Sequence, residues 1–407
     1  MSLETLAPRM RRVRPSPTAA ISDKVRALTA AGHAVVNLGE GELDFATPPH
    51  VCAAAVAAIA AGDTKYTAVA GTAALKAAIA AKFARENGLA YDADEIIAGA
   101  GAKQLIFNAL LATVAAGDEV IVPAPYWVSY PDMVALAEGE PVIVPCRAED
   151  GWKLTPAALL AAIGPRTRWL LLNSPNNPTG AVYSEAELRG LADVLLDHPD
   201  VLLLADDIYE HVRYGYAPFA TPAAVEPRLR PRTLTVNGVS KGYSMTGWRI
   251  GYAAGPAWLI GAMQTLQSQS TSNAASISQA AAVAALEGGL DFMDDWRARL
   301  AVRRDIALRA IARIDGLSCP APEGAFYAFA DCSGLIGRRT PAGRVLASDL
   351  DVAEYFLDAA HVGVVHGAAF GASPYLRIAY AVDDAVLADA MDRIAVACAR
   401  LGRAAAA

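Results

Sequence analysis

Strand-length apolar runs that alternate with helical segments leave a chain few folds to choose from. Such runs occupy residues 119–123, 142–145, 169–173 and 201–206. Between the last two lies a helical stretch, 184–196, opened by Ser184 as N-cap with Glu187 completing a capping box. A fifth run follows at 232, where Leu234 and Val236 alternate with Thr233 and Thr235 before the turn signal of Asn237 and Gly238. This order predicts a parallel α/β sheet with helices on both faces. In such sheets ligands collect beyond the carboxyl ends of the strands, so the residues found there carry the functional information.

The 169–173 run leads into NSPNNPTG, and the 201–206 run into Asp206, Asp207, Ile208 and Tyr209. The run from 232 leads into a loop of small and hydroxyl-bearing residues that holds Lys241. Singly, NNPTG is a turn, Asp206 a helix cap, Tyr209 a core aromatic and Lys241 a solvated loop lysine. Jointly, an amide, a carboxylate with a phenol, and an amine arrive at one sheet edge. A lysine partly desolvated there has a lowered pKa and is a candidate Schiff-base nucleophile. Arg249 lies eight residues further on and begins a second apolar run, 250–254. Upstream, GAGAKQ (99–104) passes from small residues into a helix, and free N–H groups at a helix start suit a phosphate. That signal is weak alone, because many helices begin after glycine.

The rest of the chain frames this edge. Prolines at 15 and 17 exclude a continuous helix at the start, and a helix is expected over 22–31. A glycine-rich loop, NLGEGELDFATPP (37–49), follows, with Gly41 the position suited to close backbone approach. Helices are expected over 50–61 and 72–87 with a loop at Lys65, Tyr66 and Thr67 between them, and a short strand over 96–98. Beyond 255 the pattern is mostly helical, including a long helix over 290–314 expected to connect two domains. After Gly316 the character turns to α+β, with strands at 323–332, 362–365 and 374–381 and a helix at 353–360. In the last strand Arg377 shares a face with Tyr375 and Ala379, either as a surface ion pair or as a buried carboxylate clamp. The alanine-rich tail, 403–407, is expected to fray.

Composition narrows the function. At 407 residues, 54% hydrophobic and 19% charged, the chain suits two to three globular units. A net charge of -7 gives no basic footprint for nucleic acid. Cys52, Cys146, Cys319, Cys332 and Cys398 are scattered without CxxC spacing, which reads as reduced thiols of a cytoplasmic protein and gives no metal site. No run reaches the ~18 apolar residues of a membrane span, and no apolar signal-peptide core follows the basic N-terminus.

The motifs GEGELDF, KYT, GAKQ, PYWVSY, NSPNNPTG, DDIYEH, SKGYSMTGWRIGY, GAFY and LRIAY stand in this order between Arg14 and Ala381. Together they resemble the pyridoxal-phosphate (PLP) dependent class I aminotransferases of fold type I, in particular the bacterial branch of aspartate and aspartate/prephenate aminotransferases. The resemblance implies an α/β fold: a large domain (49–300) with a mostly parallel mixed sheet flanked by helices, and a smaller α+β domain built from both termini (1–48 and 301–407). It implies a homodimer with shared active sites. Lys241 would carry the cofactor and shuttle the proton. Asp206 would pair with the pyridine nitrogen, Tyr209 and Asn177 with the ring hydroxyl oxygen, and Trp127 would stack on the ring. Gly101, Ala102, Lys103, Ser240 and Arg249 would surround the phosphate, with Tyr66 reaching it from the partner subunit. Arg377, with Asn177 and the Gly41 amide, would hold the substrate α-carboxylate.

A second carboxylate on the substrate needs a second cation, because an unpaired buried carboxylate is costly. Arg14, Lys103 and the Thr18 hydroxyl match the positions that read it in this branch; for Arg14 a loose basic terminus is the competing reading. The implied reaction moves an amino group from aspartate or glutamate to 2-oxoglutarate or oxaloacetate, with prephenate a further acceptor, by ping-pong kinetics. An aminotransferase for aromatic or other monocarboxylic amino acids, or a PLP carbon–sulfur lyase, would share every cofactor residue. A PLP-binding regulator without catalysis, or an α/β protein binding a small molecule without covalent cofactor, are readings from other classes. Two positions depart from the branch pattern: Gly238 stands where many relatives have a phosphate-binding serine, and Leu43 where proline is usual.

Overall fold

The computed structural model describes residues 6–215 and 217–402. The tail expected to fray lies outside them. In chain order the strands are β1 (Val36–Asn37), β2 (Ile96–Gly99), β3 (Glu119–Ala124), β4 (Glu140–Pro145), β5 (Thr167–Asn173) and β6 (Leu202–Asp206). They continue as β7 (Thr233–Gly238), β8 (Gly251–Ala254), β9 (Tyr327–Asp331), β10 (Val362–Gly363), β11 (Val365–His366) and β12 (Tyr375–Ala379).

Seven strands form the central sheet in the order β2-β8-β7-β6-β5-β3-β4. All neighbours from β7 through β6 and β5 to β3 and β4 pair in parallel, while β8 runs antiparallel to both β7 and β2. β2 and β7 are buried along their whole length, because helices cover both faces of the sheet and leave no polar side for alternation. One face packs Leu105, Ile106, Val120, Trp169, Leu234 and Val236 into a common core. The other packs Ile121, Leu170, Leu172, Leu188 and Leu203.

The sheet is mostly parallel, as the alternation of runs implies, and mixed through β8, as the resemblance implies; the capping box of Ser184 and Glu187 opens the helix Glu185–Leu196. The strand from 232 does not stop at Asn237 and Gly238. β7 continues through both, in register with Tyr252 and Gly251, while the Asn237 side chain accepts the Gly238 N–H (2.7 Å). A turn dipeptide is held straight here by ladder bonds on a buried strand. The single helix expected over 72–87 is an α-helix, Ala73–Lys82, that passes into one π-helical turn, Phe83–Asn87, closed by Gly88 at φ 66.

The termini meet away from this sheet. β1 pairs with β10 in parallel, and β11, β12 and β9 form a three-stranded antiparallel sheet. The long helix Asp291–Ile311 packs against the helix Asp384–Ala399, and Leu300, Phe326, Phe356, Ile378 and Ile394 share one core. A bidentate pair of Arg303 with Asp44 (2.6 and 2.9 Å) ties that long helix to the loop carrying Gly41.

Candidate active site

A cavity of about 500 Å³ opens where β5, β6 and β7 end. Its wall includes Asn173 and Asn177 after β5, Asp206 and Tyr209 at the end of β6, and Ser240 and Lys241 after β7. The register explains the convergence: Asn173 stands beside Asp206, and Asp206 beside Val236, so β5 and β6 finish level and β7 runs two residues past them before Lys241. Asn173 fixes that edge, donating to the Asp206 carbonyl (2.9 Å) and accepting the Asn177 N–H (2.8 Å).

Lys241 donates from Nζ to the Gly41 carbonyl, and the Tyr209 ring lies 5.9 Å from that amine. Burial, and then the positive charge of Arg377, lowers the Lys241 pKa to about 8, although Glu42 and Asp206 oppose the shift. Burial raises Asp206 to about 6 against the opposing hydrogen bond from Tyr130. Tyr130 Oη donates to Asp206 Oδ2 at 2.6 Å with both side chains buried.

On the opposite side Arg377 is 2% exposed, which makes it a buried clamp and not a surface ion pair. Its Nη1 donates to Asn177 Oδ1 (2.9 Å) and its Nη2 to the Gly39 carbonyl (2.6 Å). Its guanidinium stacks on Tyr327 (4.5 Å) and Phe370 (5.0 Å), and its buried Nε has no partner. An unpaired donor on a buried cation is costly unless an acceptor comes to it. Gly41 leaves the space beside it: a Cβ there would come within 2.8 Å of Tyr327 Oη, which is itself bonded to Tyr209 Oη at 2.8 Å.

The remaining wall is a cradle for an anion. Helix Ala102–Thr113 starts after Gly101 (φ 92) with no side-chain cap, so its first N–H groups face the cavity where Ala102, Ser240 and Arg249 converge. A Cβ on Gly101 would strike the Arg249 guanidinium, and one on Gly251 would strike the Ala102 backbone. Gly251 is therefore required by close backbone approach, and Gly101 by its left-handed φ of 92. Lys103 extends Nζ over the Trp127 ring at 4.8 Å, and both line the cavity.

Thr18 lines the cavity from the helix Pro17–Ala30, as do Ser22 and Arg26 one and two turns along it. Arg14 does not line it; its side chain is exposed and its backbone N–H faces Asp132. Tyr66 also lies outside the cavity and is 89% exposed. Sequence reasoning missed Tyr130, Tyr327 and Asn173 as site residues. Tyr130 and Tyr327 sit inside the quoted PYWVSY and GAFY stretches, but their partners lie 76 and 118 residues away in sequence. No local signal marks such a pair.

A buried acid, an amine of lowered pKa, a π face, an anion cradle and a carboxylate clamp around one cavity fit a phosphorylated, nitrogen-containing aromatic cofactor together with an amino-acid substrate. Comparisons with known proteins point the same way. The model of the family described as aminotransferase class I and II matches residues 33–394. An aspartate aminotransferase of Rhizobium meliloti is 55% identical over 381 residues, covering 94% of this chain and 93% of that protein. An aspartate/prephenate aminotransferase of Cereibacter sphaeroides is 54% identical over 396 residues, covering 97% and 99%. Among solved structures, the aspartate aminotransferase from Rhizobium meliloti superposes with a TM-score of 0.94 at 53% identity, covering 98% of this chain and 100% of that one. The Thermus thermophilus aspartate aminotransferase with maleate superposes with a TM-score of 0.90 at 41% identity, covering 96% and 99%. With its family model spanning most of the chain and close relatives spanning nearly all of it, this protein belongs to the class I and II aminotransferases.

Proposed function

We propose that the protein is a pyridoxal-phosphate aminotransferase that moves the amino group of aspartate or glutamate to 2-oxoglutarate or oxaloacetate, with prephenate a further acceptor. The observation that carries this reading is the cavity shared by Lys241, Asp206 and Arg377. Asp206 would hold the pyridine nitrogen, Tyr209 and Asn177 the ring oxygen, and Trp127 the ring face. The amides of Gly101 and Ala102, with Lys103, Ser240 and Arg249, would hold the phosphate. When bound, pyridoxal phosphate supplies an electron sink for the charge left on the α-carbon after proton loss.

The chain's own groups do the rest. Lys241 Nζ, lowered to about 8, is neutral in roughly a tenth of molecules at pH 7, against fewer than ~0.1% at the unperturbed value. That neutral fraction takes the substrate α-proton and later returns it. Asp206, at about 6, is largely ionised at pH 7 and offers a fixed negative charge in a site of low dielectric. Arg377 would bind the α-carboxylate through its unpaired Nε, with Asn177 and the Gly41 amide orienting the same group. Lys103 and Thr18 supply a cation and a hydroxyl for a distal carboxylate, and Arg14 would join them once the N-terminal segment moves over bound substrate.

The likeness to proteins named aspartate and aspartate/prephenate aminotransferase supports the acidic substrate class. Tyr66 would reach the phosphate of a second copy in a homodimer with shared sites, a reading that its exposure outside its own cavity supports. We read the domains as 1–48 with 301–407 and 49–300, and the protein as cytoplasmic. The five cysteines are unpaired, and among the described residues no helix is long and apolar enough to cross a membrane.

A half-reaction panel tests the assignment: the holoenzyme is mixed with single amino acids, and loss of the cofactor absorbance is followed. Aspartate and glutamate are expected to react with kcat/KM well above phenylalanine and alanine. Faster reaction with a monocarboxylic amino acid, or release of pyruvate, ammonia and a thiol from S-substituted cysteines, would overturn it.

A further inference from the structure

The turn after β6 has two faces. Asp206 and Tyr209 point into the cavity, whereas Glu210 and His211, 4% and 8% exposed, point away from it into a buried polar cluster. Glu210 accepts the ammonium of Lys82, the Asn87 amide (2.8 Å) and the Asn237 amide (2.7 Å). Lys82 is fully buried; it also donates to Asn87 Oδ1 (2.7 Å) and lies 3.6 Å from Glu86 Oε2. Glu86 meets His211 Nε2 at 2.8 Å. Three ligand-type groups, Glu86, Glu210 and His211, are thus gathered, but the Lys82 ammonium already sits among them and pairs with both carboxylates.

This cluster touches the chain on both sides of Lys241. Asn237 lies four residues before it, near the end of β7, and Gly242 directly after it lies against the His211 ring. A Cβ on Gly242 would come within 2.4 Å of His211 Nδ1. The third arm is the π-helical turn Phe83–Asn87, which brings Glu86 and Asn87 alongside Lys82. Single π-turns inside helices recur at functional sites. A buried ion pair contributes little net stability over an apolar pair of equal volume, since desolvation offsets its attraction. What it does supply is a fixed distance, because neither charge can leave its partner without a large penalty.

We propose that Lys82, Glu210, Asn237 and His211 are positioning residues that hold the Asp206–Tyr209 turn and the Lys241 loop at the separation the reaction requires. The proposal rests on the function argued above. It extends that function to groups that touch neither substrate nor cofactor.

The test compares holoenzyme of the wild type with a neutral pair, Lys82→Met/Glu210→Leu, and separately with Gly242→Ala, which leaves every charge in place. Four quantities are read: Tm, the kcat and KM of the amino-acid half-reaction, and the pH midpoint of the bound cofactor's absorbance. The neutral pair is expected to lose some Tm, because the Asn87 and Asn237 amides lose their acceptor, yet to stay folded at the assay temperature. Its kcat is expected to fall roughly tenfold or more while KM changes less, as displacement of reacting groups dictates. Its absorbance midpoint is expected to move, and Gly242→Ala to move it too. A neutral pair with wild-type kcat and midpoint overturns the proposal, as does a kcat loss matched by an equal loss of folded protein. If the neutral pair does not fold, Gly242→Ala decides alone, and wild-type values there overturn it. A wild type that neither binds pyridoxal phosphate nor transaminates would fail the underlying function instead, so the two failures are distinct.

Discussion

Replacing Tyr130 with Phe removes one hydroxyl and leaves the ring, so its effect isolates the 2.6 Å bond to Asp206. A buried hydrogen bond to a charged group is worth about 1.5 to 3 kcal/mol, which corresponds to about 1 to 2 pKa units at 1.36 kcal/mol per unit. Asp206, held at about 6 with the bond in place, would then titrate between roughly 7 and 8. In the proposed site pyridoxal phosphate would pair with the ionised carboxylate, so binding to the variant would first have to remove a proton. The sign follows: the penalty grows as pH falls and vanishes well above the new pKa. Relative to wild type, the cofactor Kd should rise about two- to tenfold at pH 7 and roughly five- to fiftyfold at pH 6, with about no change at pH 9. Fluorescence or absorbance titration of stripped protein at the three pH values reads these ratios directly. A ratio that is the same at all three, or that grows with pH, would refute the electrostatic link between Tyr130, Asp206 and the cofactor.

Three further outcomes follow from the geometry. Arg377→Lys loses the paired donors and the stacking on Tyr327, so steady-state kinetics should show KM rising roughly tenfold to a hundredfold for every amino acid tried. Arg14→Ala should raise KM for dicarboxylates more than for alanine or phenylalanine; equal effects would remove Arg14 from the distal site. In the cofactor-free protein Lys241 carries a folded pKa of about 8 below its ordinary 10.5, so its charge is penalised by the fold. That penalty is complete below pH 8 and is relieved as pH rises towards 10.5. Cofactor-free Lys241→Met should therefore have the higher Tm at pH 7, with the gap closing by pH 10.5; a gap independent of pH contradicts the shift.

Much of the site was legible because its residues sit where strands end. Asp206, Asn177 and Lys241 each follow an apolar run whose length and direction the sequence pattern shows, and the register brings those ends to one edge. Arg377 was legible as a choice between two readings, and only its burial among Tyr327 and Phe370 decides between them. What the pattern could not show is pairing across distance. Tyr130 is a helix-start aromatic until Asp206 is beside it, and Glu210 reads as a surface acid until Lys82 arrives from 128 residues away. The π-helical turn at Phe83–Asn87 shares the apolar spacing of the helix before it, so periodicity alone merges the two. Asn237 and Gly238 misled for the opposite reason: a strong local turn preference yields to the ladder with β8 on a buried strand.

The account stands on Lys241 being the one lysine that joins pyridoxal phosphate, within the cavity it shares with Asp206. Borohydride reduction of the reconstituted, yellow protein, followed by peptide mass mapping, tests this most directly. The expected result is bleaching with a single pyridoxyl adduct on the peptide carrying Lys241, lost in Lys241→Met. A colourless protein, or an adduct on any of the other lysines, would contradict it.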